Sequence, residues 1–250
     1  MSRQRWATPP VRGPASSDSG MGRGGRSFWA EAACYSPDVI IPRSRREERW
    51  NSISHALAFL VALVAFPPLV WMASDRTDAL GVLGVSIFGL SMLFMLGAST
   101  AYHASTEPES RRILQIIDHM SIYIVIAGSY TPICMTTLRG PWGWGLLTAV
   151  WSIALLGVLL KTKFTGRYDA LSTALYLVMG WLCLVAVVPI FERLEGQALL
   201  LLVFAGLTFS TGVFFYLKDH RRGYHLVWHF FVIGGCVGLY TAVLFELSSL

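Results

Sequence analysis

The strongest constraint on this chain is a series of seven apolar stretches, at 54–74, 79–103, 113–138, 142–160, 170–191, 198–217 and 224–245. Each is close to the ~20 residues that a helix needs to cross the hydrocarbon core of a bilayer. Inside lipid, backbone N–H and C=O groups must pair within the protein, which leaves only helices and closed barrels. The runs are too long for barrel strands and lack their alternation. The expected fold is therefore an all-α membrane protein, a seven-transmembrane-helix bundle. Charged residues make up only 14% of the chain against 54% apolar, well below the roughly 25% charge of a soluble domain. That excludes a disordered chain and argues against a water-soluble enzyme. Pro67 and Pro68 are expected to kink the first helix, Pro132 the third and Pro189 the end of the fifth, since each removes a donor and crowds the preceding turn.

The net charge of +5 is not spread over a folded surface, so no nucleic-acid partner is expected. Residues 1–45 are rich in Arg, Ser, Gly and Pro without an apolar period and read as a disordered basic cytoplasmic tail, leaving 46–250 as the transmembrane domain. Asp18, Glu31 and Asp38 argue against an organelle transit peptide, which is poor in acids. With the N-terminus inside, twelve basic residues lie on the inner side: Arg43, Arg45, Arg46, Arg49, Arg111, Arg112, Lys161, Lys163, Arg167, Lys218, Arg221 and Arg222. Only Arg76, Arg139 and Arg193 lie on the other. The positive-inside rule thus places the N-terminus in the cytoplasm and the C-terminus outside. This orientation is opposite to that of G-protein-coupled receptors, and the last helix lacks the lysine that a retinal protein needs. Cys34, Cys134, Cys183 and Cys236 show no paired spacing, and the last three read as small packing residues.

Few ionisable residues interrupt the apolar runs, and they share one depth. His55 opens the first helix, His103 closes the second, Asp118 and His119 lie near the start of the third, His220 precedes the seventh, and His225 and His229 begin it. All fall near the inner leaflet. His225 and His229 are four apart and share a helix face, as do Ser99 and His103. A carboxylate at a helix centre costs about 2.5–3.5 kcal/mol on insertion scales, so Asp118, though shallower, needs a partner. Single histidines at helix ends can be interfacial anchors satisfied by water. The set His103, Asp118, His225 and His229 instead points to function, because intramembrane ionisable groups mark sites. Three neutral imidazoles with one open position suit catalytic zinc. Haem is the rival, but histidines confined to one leaflet and paired on one helix are awkward axial ligands.

Several local strings carry a family resemblance. They are Glu48-x-x-Asn51-x-x-Ser54-His55, Ser99-Thr-Ala-Tyr-His103, Ile117-Asp118-His119, Ala127-Gly-Ser-Tyr-Thr-Pro132 and His225-x-x-x-His229. In order and spacing the chain resembles the hemolysin III family, within the broader group of progestin and adiponectin receptor relatives. The resemblance runs from about Glu47 to Phe245 and leaves out the tail. It implies a zinc ion near the cytoplasmic face held by His103, His225 and His229, with Ser99 and Asp118 holding or activating a zinc-bound water. His55, His119 and Asn51, the only asparagine in the chain, match motif positions without an implied role. The short loops resemble the bacterial branch, so a bacterial inner (plasma) membrane is the expected location.

The resulting expectation is a metal-dependent hydrolase acting on a membrane lipid amide, ceramide-like in class, with Asp118 as general base and Ser99 assisting at the water or the oxyanion. The alternative is a non-catalytic receptor, sensor or cytolytic pore, in which metal staples helices two and seven. A closed site with Asp118 as fourth ligand would favour that alternative. A transporter ranks behind both, since paired interrupted helices at the midplane are missing from the pattern.

Overall fold

A computed structural model describes residues 43–166 and 168–250; all but the last three residues of the expected 1–45 tail, and Arg167, lie outside the described residues. Among the described residues, eight α-helices form seven spans long and apolar enough to cross a membrane, and there is no strand. In chain order they are α1 (Arg45–Arg76), α2 (Ala79–Ala104), α3 (Pro108–Met135), α4 (Pro141–Phe164), α5 (Asp169–Gly180), α6 (Val187–Arg193), α7 (Gly196–Tyr216) and α8 (Tyr224–Ser249). A 3₁₀ segment (Leu182–Ala186) joins α5 to α6, and the three together make the fifth span.

Helix starts follow from capping chemistry. Ser44 accepts from the Glu47 amide at 3.2 Å while the Glu47 carboxylate accepts from the Ser44 amide at 3.3 Å, a reciprocal box that starts α1 at Arg45 rather than near residue 54. The apolar run alone missed this polar first turn. Asp78 caps α2 through the Gly81 amide at 3.1 Å, and Glu107 caps α3 through the Ser110 amide at 2.7 Å, just ahead of Pro108. Pro141 opens α4 in the first turn, where a missing N–H costs nothing. Asp78 also pairs with Arg139 at 2.7 Å, which holds its carboxyl well below the usual range.

Helical structure continues through Pro67 and Pro68 in α1 and through Pro132 in α3. The fifth span behaves differently. Its irregular stretch spans Trp181–Ala186, before Pro189 rather than at it. The reason is steric: the Pro189 ring crowds the carbonyl of Val185 and offers no N–H, so the α-helix restarts with Pro189 in its first turn. The freed backbone groups are satisfied from α3. The Tyr130 hydroxyl reaches the carbonyls of Met179 (2.8 Å) and Gly180 (2.9 Å) and accepts from the Cys183 amide at 3.1 Å.

The spans form a ring. α2 packs against α1 and α3, α3 against α4, α7 against α8, and α8 closes back on α1. The main core lies between α1, α2 and α8, around Phe66, Leu69, Phe88, Met92, Val243 and Leu247. The fifth span touches its neighbours much less than the other spans do. Close approach elsewhere relies on glycine. A Cβ on Gly157 of α4 would lie 2.3 Å from the buried Tyr123 ring of α3, and one on Gly235 of α8 would lie 2.4 Å from Phe209 of α7. Small residues at such crossings let membrane helices pack tightly. Gly157→Ala is expected to cost about 1–3 kcal/mol by overpacking, read as a lower melting midpoint of the purified protein in detergent. The three cysteines within the described residues, Cys134, Cys183 and Cys236, are unpaired.

Candidate metal centre

Alternating helix direction brings the start of α1, the end of α2, and the starts of α3, α5 and α8 to one end of the bundle, together with most of the basic residues. There the backbone turns into α8 at Gly223, whose φ of 80° is a left-handed conformation that glycine adopts without strain. The Gly223 amide donates to the Glu47 carboxylate at 2.7 Å, tying the start of α8 to the start of α1. His225 and His229 then fall one turn apart, facing His103 on α2.

One ligand atom from each of His103, His225 and His229 lies within 4.8 Å of the others. The Nε2 atoms of His103 and His225 are 3.2 Å apart. All three rings are buried, His229 to 1% exposure. Each Nδ1 has a partner on the side away from the cluster. His103 Nδ1 meets Glu48 Oε2 at 2.6 Å, and the other oxygen of Glu48 accepts from Arg111 at 2.6 Å. His229 Nδ1 lies 3.2 Å from the Asn51 carbonyl and 3.1 Å from the Ser54 hydroxyl. His225 Nδ1 lies 3.3 Å from Asp219 Oδ2 and 3.0 Å from the Arg43 guanidinium.

The carboxylate on His103 Nδ1 and the carbonyl near His229 Nδ1 can each take an N–H there and leave Nε2 free to ligate, as metal-binding imidazoles need, whereas His225 Nδ1 has both an acceptor, Asp219, and a donor, Arg43, beside it. The donor set, three imidazole nitrogens close enough to share one ion, fits a divalent metal ion. Asp118 is not among the ligand atoms that share the 4.8 Å spacing, so the compact group comprises imidazoles alone.

Ser99 and Asp118 stand beside this group. Both line a cavity of about 210 Å³ between the helices, together with His55, His119, His225 and His229. From that polar end the cavity runs along mostly apolar walls, past Met95, Val125, Phe209 and Leu239, to Leu138, Leu146 and Leu194. Gly180, Trp181 and Cys183 line it too, so the irregular fifth span forms part of its wall.

The expected site residues thus gather at one place: three imidazoles in contact distance, and Asp118 and Ser99 on the adjoining cavity wall. His55 stacks on His229 with ring centres 3.8 Å apart. His119 joins the cavity wall on the side of Thr173 and Tyr176, and His220 lies in a pocket at the surface of the same end. Sequence reasoning missed the supports. Glu48, Asn51 and Ser54 sit in the first motif string, but nothing in their spacing pairs them with a histidine some 50 or 175 positions away. Asp219 and Arg43 lacked any signal beyond their charge. They form an ion pair over His225; burial holds the Asp219 carboxyl above its usual range despite the guanidinium.

The family profile described as "Haemolysin-III related" matches residues 43–240. The chain belongs to the hemolysin III family. It is 40% identical over 200 residues to a hemolysin-3 homolog of Bacillus subtilis (strain 168), covering 80% of this chain and 94% of that relative. It is 37% identical over 200 residues to hemolysin-3 of Bacillus cereus, covering 80% and 91%. No solved structure matches. The matched region takes in every residue of the histidine group and its Nδ1 partners. This chain is therefore a multi-pass hemolysin III membrane protein with a buried triple-histidine group at the basic end of its bundle.

Proposed function

We propose that this hemolysin III protein is a zinc-dependent hydrolase of a membrane lipid amide, ceramide-like in class, with its basic end in the cytoplasm of a bacterial inner membrane. The observation that carries the reading is the conjunction of three convergent imidazoles, an adjoining carboxylate and an apolar cavity leading away from them. Zinc held by His103, His225 and His229 would supply a Lewis acid and water acidified toward neutral pH.

The protein's own groups do the rest. The apolar cavity takes an acyl chain and sets the amide carbonyl beside the histidine group. Asp118 accepts a proton from the attacking water as the water oxygen adds to the carbonyl carbon, then returns it to the leaving amine nitrogen as the C–N bond breaks. Ser99 donates a hydrogen bond to the water or to the developing oxyanion. The products are a fatty acid and a free amine. Glu48 acts at a distance by holding His103 in the ligating tautomer. Glu48→Gln should weaken zinc affinity about 10–100-fold, measured by competition against a chelating dye, with the fold retained.

The second reading is a metal staple in a receptor, sensor or pore. The names of the Bacillus relatives point to cell lysis. The grouping of three imidazoles without a carboxylate favours an open coordination position, and thus hydrolysis, over a closed staple. The apolar lining of the cavity speaks against a water-filled pore. Lysis can follow from lipid turnover.

The test is incubation of purified, zinc-loaded protein with a panel of lipid amides and esters. Release of fatty acid from an amide is the expected result. Bound zinc with no release from any member of the panel would move the protein to the staple reading.

A further inference from the structure

Asn51 and His55 lie four residues apart on α1, about 6 Å along its axis, on the side that packs against His229. Their exposures are 1% and 3%. Neither the amide nitrogen nor the amide oxygen of Asn51 has a hydrogen-bonding partner among the described residues, and neither nitrogen of the His55 ring has one. Four such atoms in one turn of a membrane helix are costly to bury unless something pairs with them.

The two residues line different spaces. Asn51 lines a pocket of about 250 Å³ at the basic end, with Glu47, Asp219 and Arg222. His55 lines the cavity between the helices, with Ser99 and Asp118. His225 borders both. Asn51, His55 and His225 are thus a polar partition between the surface of the basic end and the interior, whereas most of the interior wall is apolar.

We infer that ordered water occupies the Asn51–His55 face of α1 and that this face is the path by which water enters the cavity from the basic end. The chemistry fits. An amide offers two donors and two acceptor lone pairs, and a neutral imidazole one of each. A buried water needs two to four such partners. Along the rest of the cavity most of the lining is apolar, and the hydroxyls of Ser129, Tyr130 and Ser210 already bond to the protein, so water gathers at the polar end and the remainder favours hydrocarbon. The path exists whether or not the protein is a hydrolase; its use as the supply of hydrolytic water rests on that reading. It also gives a role to Asn51 and His55, motif residues that the histidine group leaves unused as ligands.

The experiment is hydroxyl-radical footprinting by X-ray radiolysis of the full chain in nanodiscs, with oxidation quantified by mass spectrometry and normalised to the free amino acids. Met92 and Met179 are as deeply buried as His55 but do not line the cavity, so they are the dry controls. His55 should be labelled several-fold faster than either, and Asn51→Leu should reduce that labelling to the control level. Labelling of His55 no faster than the controls overturns the inference, and so does undiminished labelling in folded Asn51→Leu. If that variant does not fold, the wild-type comparison decides alone. The readout needs neither zinc nor turnover. A wet His55 without any fatty acid release sustains the path and removes only the hydrolase, while a dry His55 in a protein that releases fatty acid does the reverse.

Discussion

Replacing His225 by alanine is expected to leave the purified protein without zinc. Wild-type protein should carry about one zinc per chain by elemental analysis, and the variant close to none, because two imidazoles are too few to hold the ion against buffer and detergent exchange. The effect should be this large because the site is built for three ligands. His103 and His229 face the same centre as His225, and each of the three is held from behind by its own partner. Among the described residues no further His, Cys or carboxylate shares the 4.8 Å spacing, so removing one imidazole leaves the other two without a substitute in the group. A wild-type protein purified free of metal, and unable to take up zinc on titration, would remove the basis of the proposed chemistry. Retention of stoichiometric zinc by the variant would show that the ion sits elsewhere.

Asp118→Asn is expected to separate metal binding from catalysis. Asparagine keeps the shape of the side chain and its place on the cavity wall, but it cannot take a proton from water. Turnover of a responsive lipid amide should therefore fall about 10²–10⁴-fold, the usual contribution of a positioned base. Zinc content should remain at the wild-type level, because Asp118 lies outside the compact ligand group. Loss of zinc in this variant would make Asp118 a ligand and turn the site into a closed, structural one. Unchanged turnover would pass the role of base to another group on the same wall, of which His119 is the nearest in sequence.

The helical architecture was legible because lipid leaves the backbone so few options. Seven runs of about 20 apolar residues admit one fold class, and the observed spans follow those runs closely. The discrepancies have local causes that hydropathy does not register. α1 begins at Arg45 because Ser44 and Glu47 cap one another, although its first turn is charged. The fifth span breaks before Pro189 because proline acts on the turn ahead of it, and Tyr130 from another helix makes that break tolerable. No pattern within the fifth segment could reveal a hydrogen-bonding partner on the third.

The candidate site divides along the same line. His225 and His229 declare themselves by helical spacing, and the even number of passes between His103 and the end where they sit places all three at a common depth. Hydropathy and helical spacing were enough for the seven-span bundle, for the end of it where the ionisable residues collect and for the set His103, Asp118, His225 and His229; dividing that set into three imidazoles and a separate carboxylate rested on the family resemblance. Tertiary structure alone decided which atoms meet: that Nε2 faces the centre in His103 and His225, that Glu48, Asn51 and Asp219 stand behind the rings, that Asp118 keeps to the cavity wall, and that a long apolar space opens beside them. The physical reason is that insertion into lipid is a property of each segment separately, whereas ring orientation and cavity shape depend on the rotation of each helix about its own axis, which only packing against the others sets.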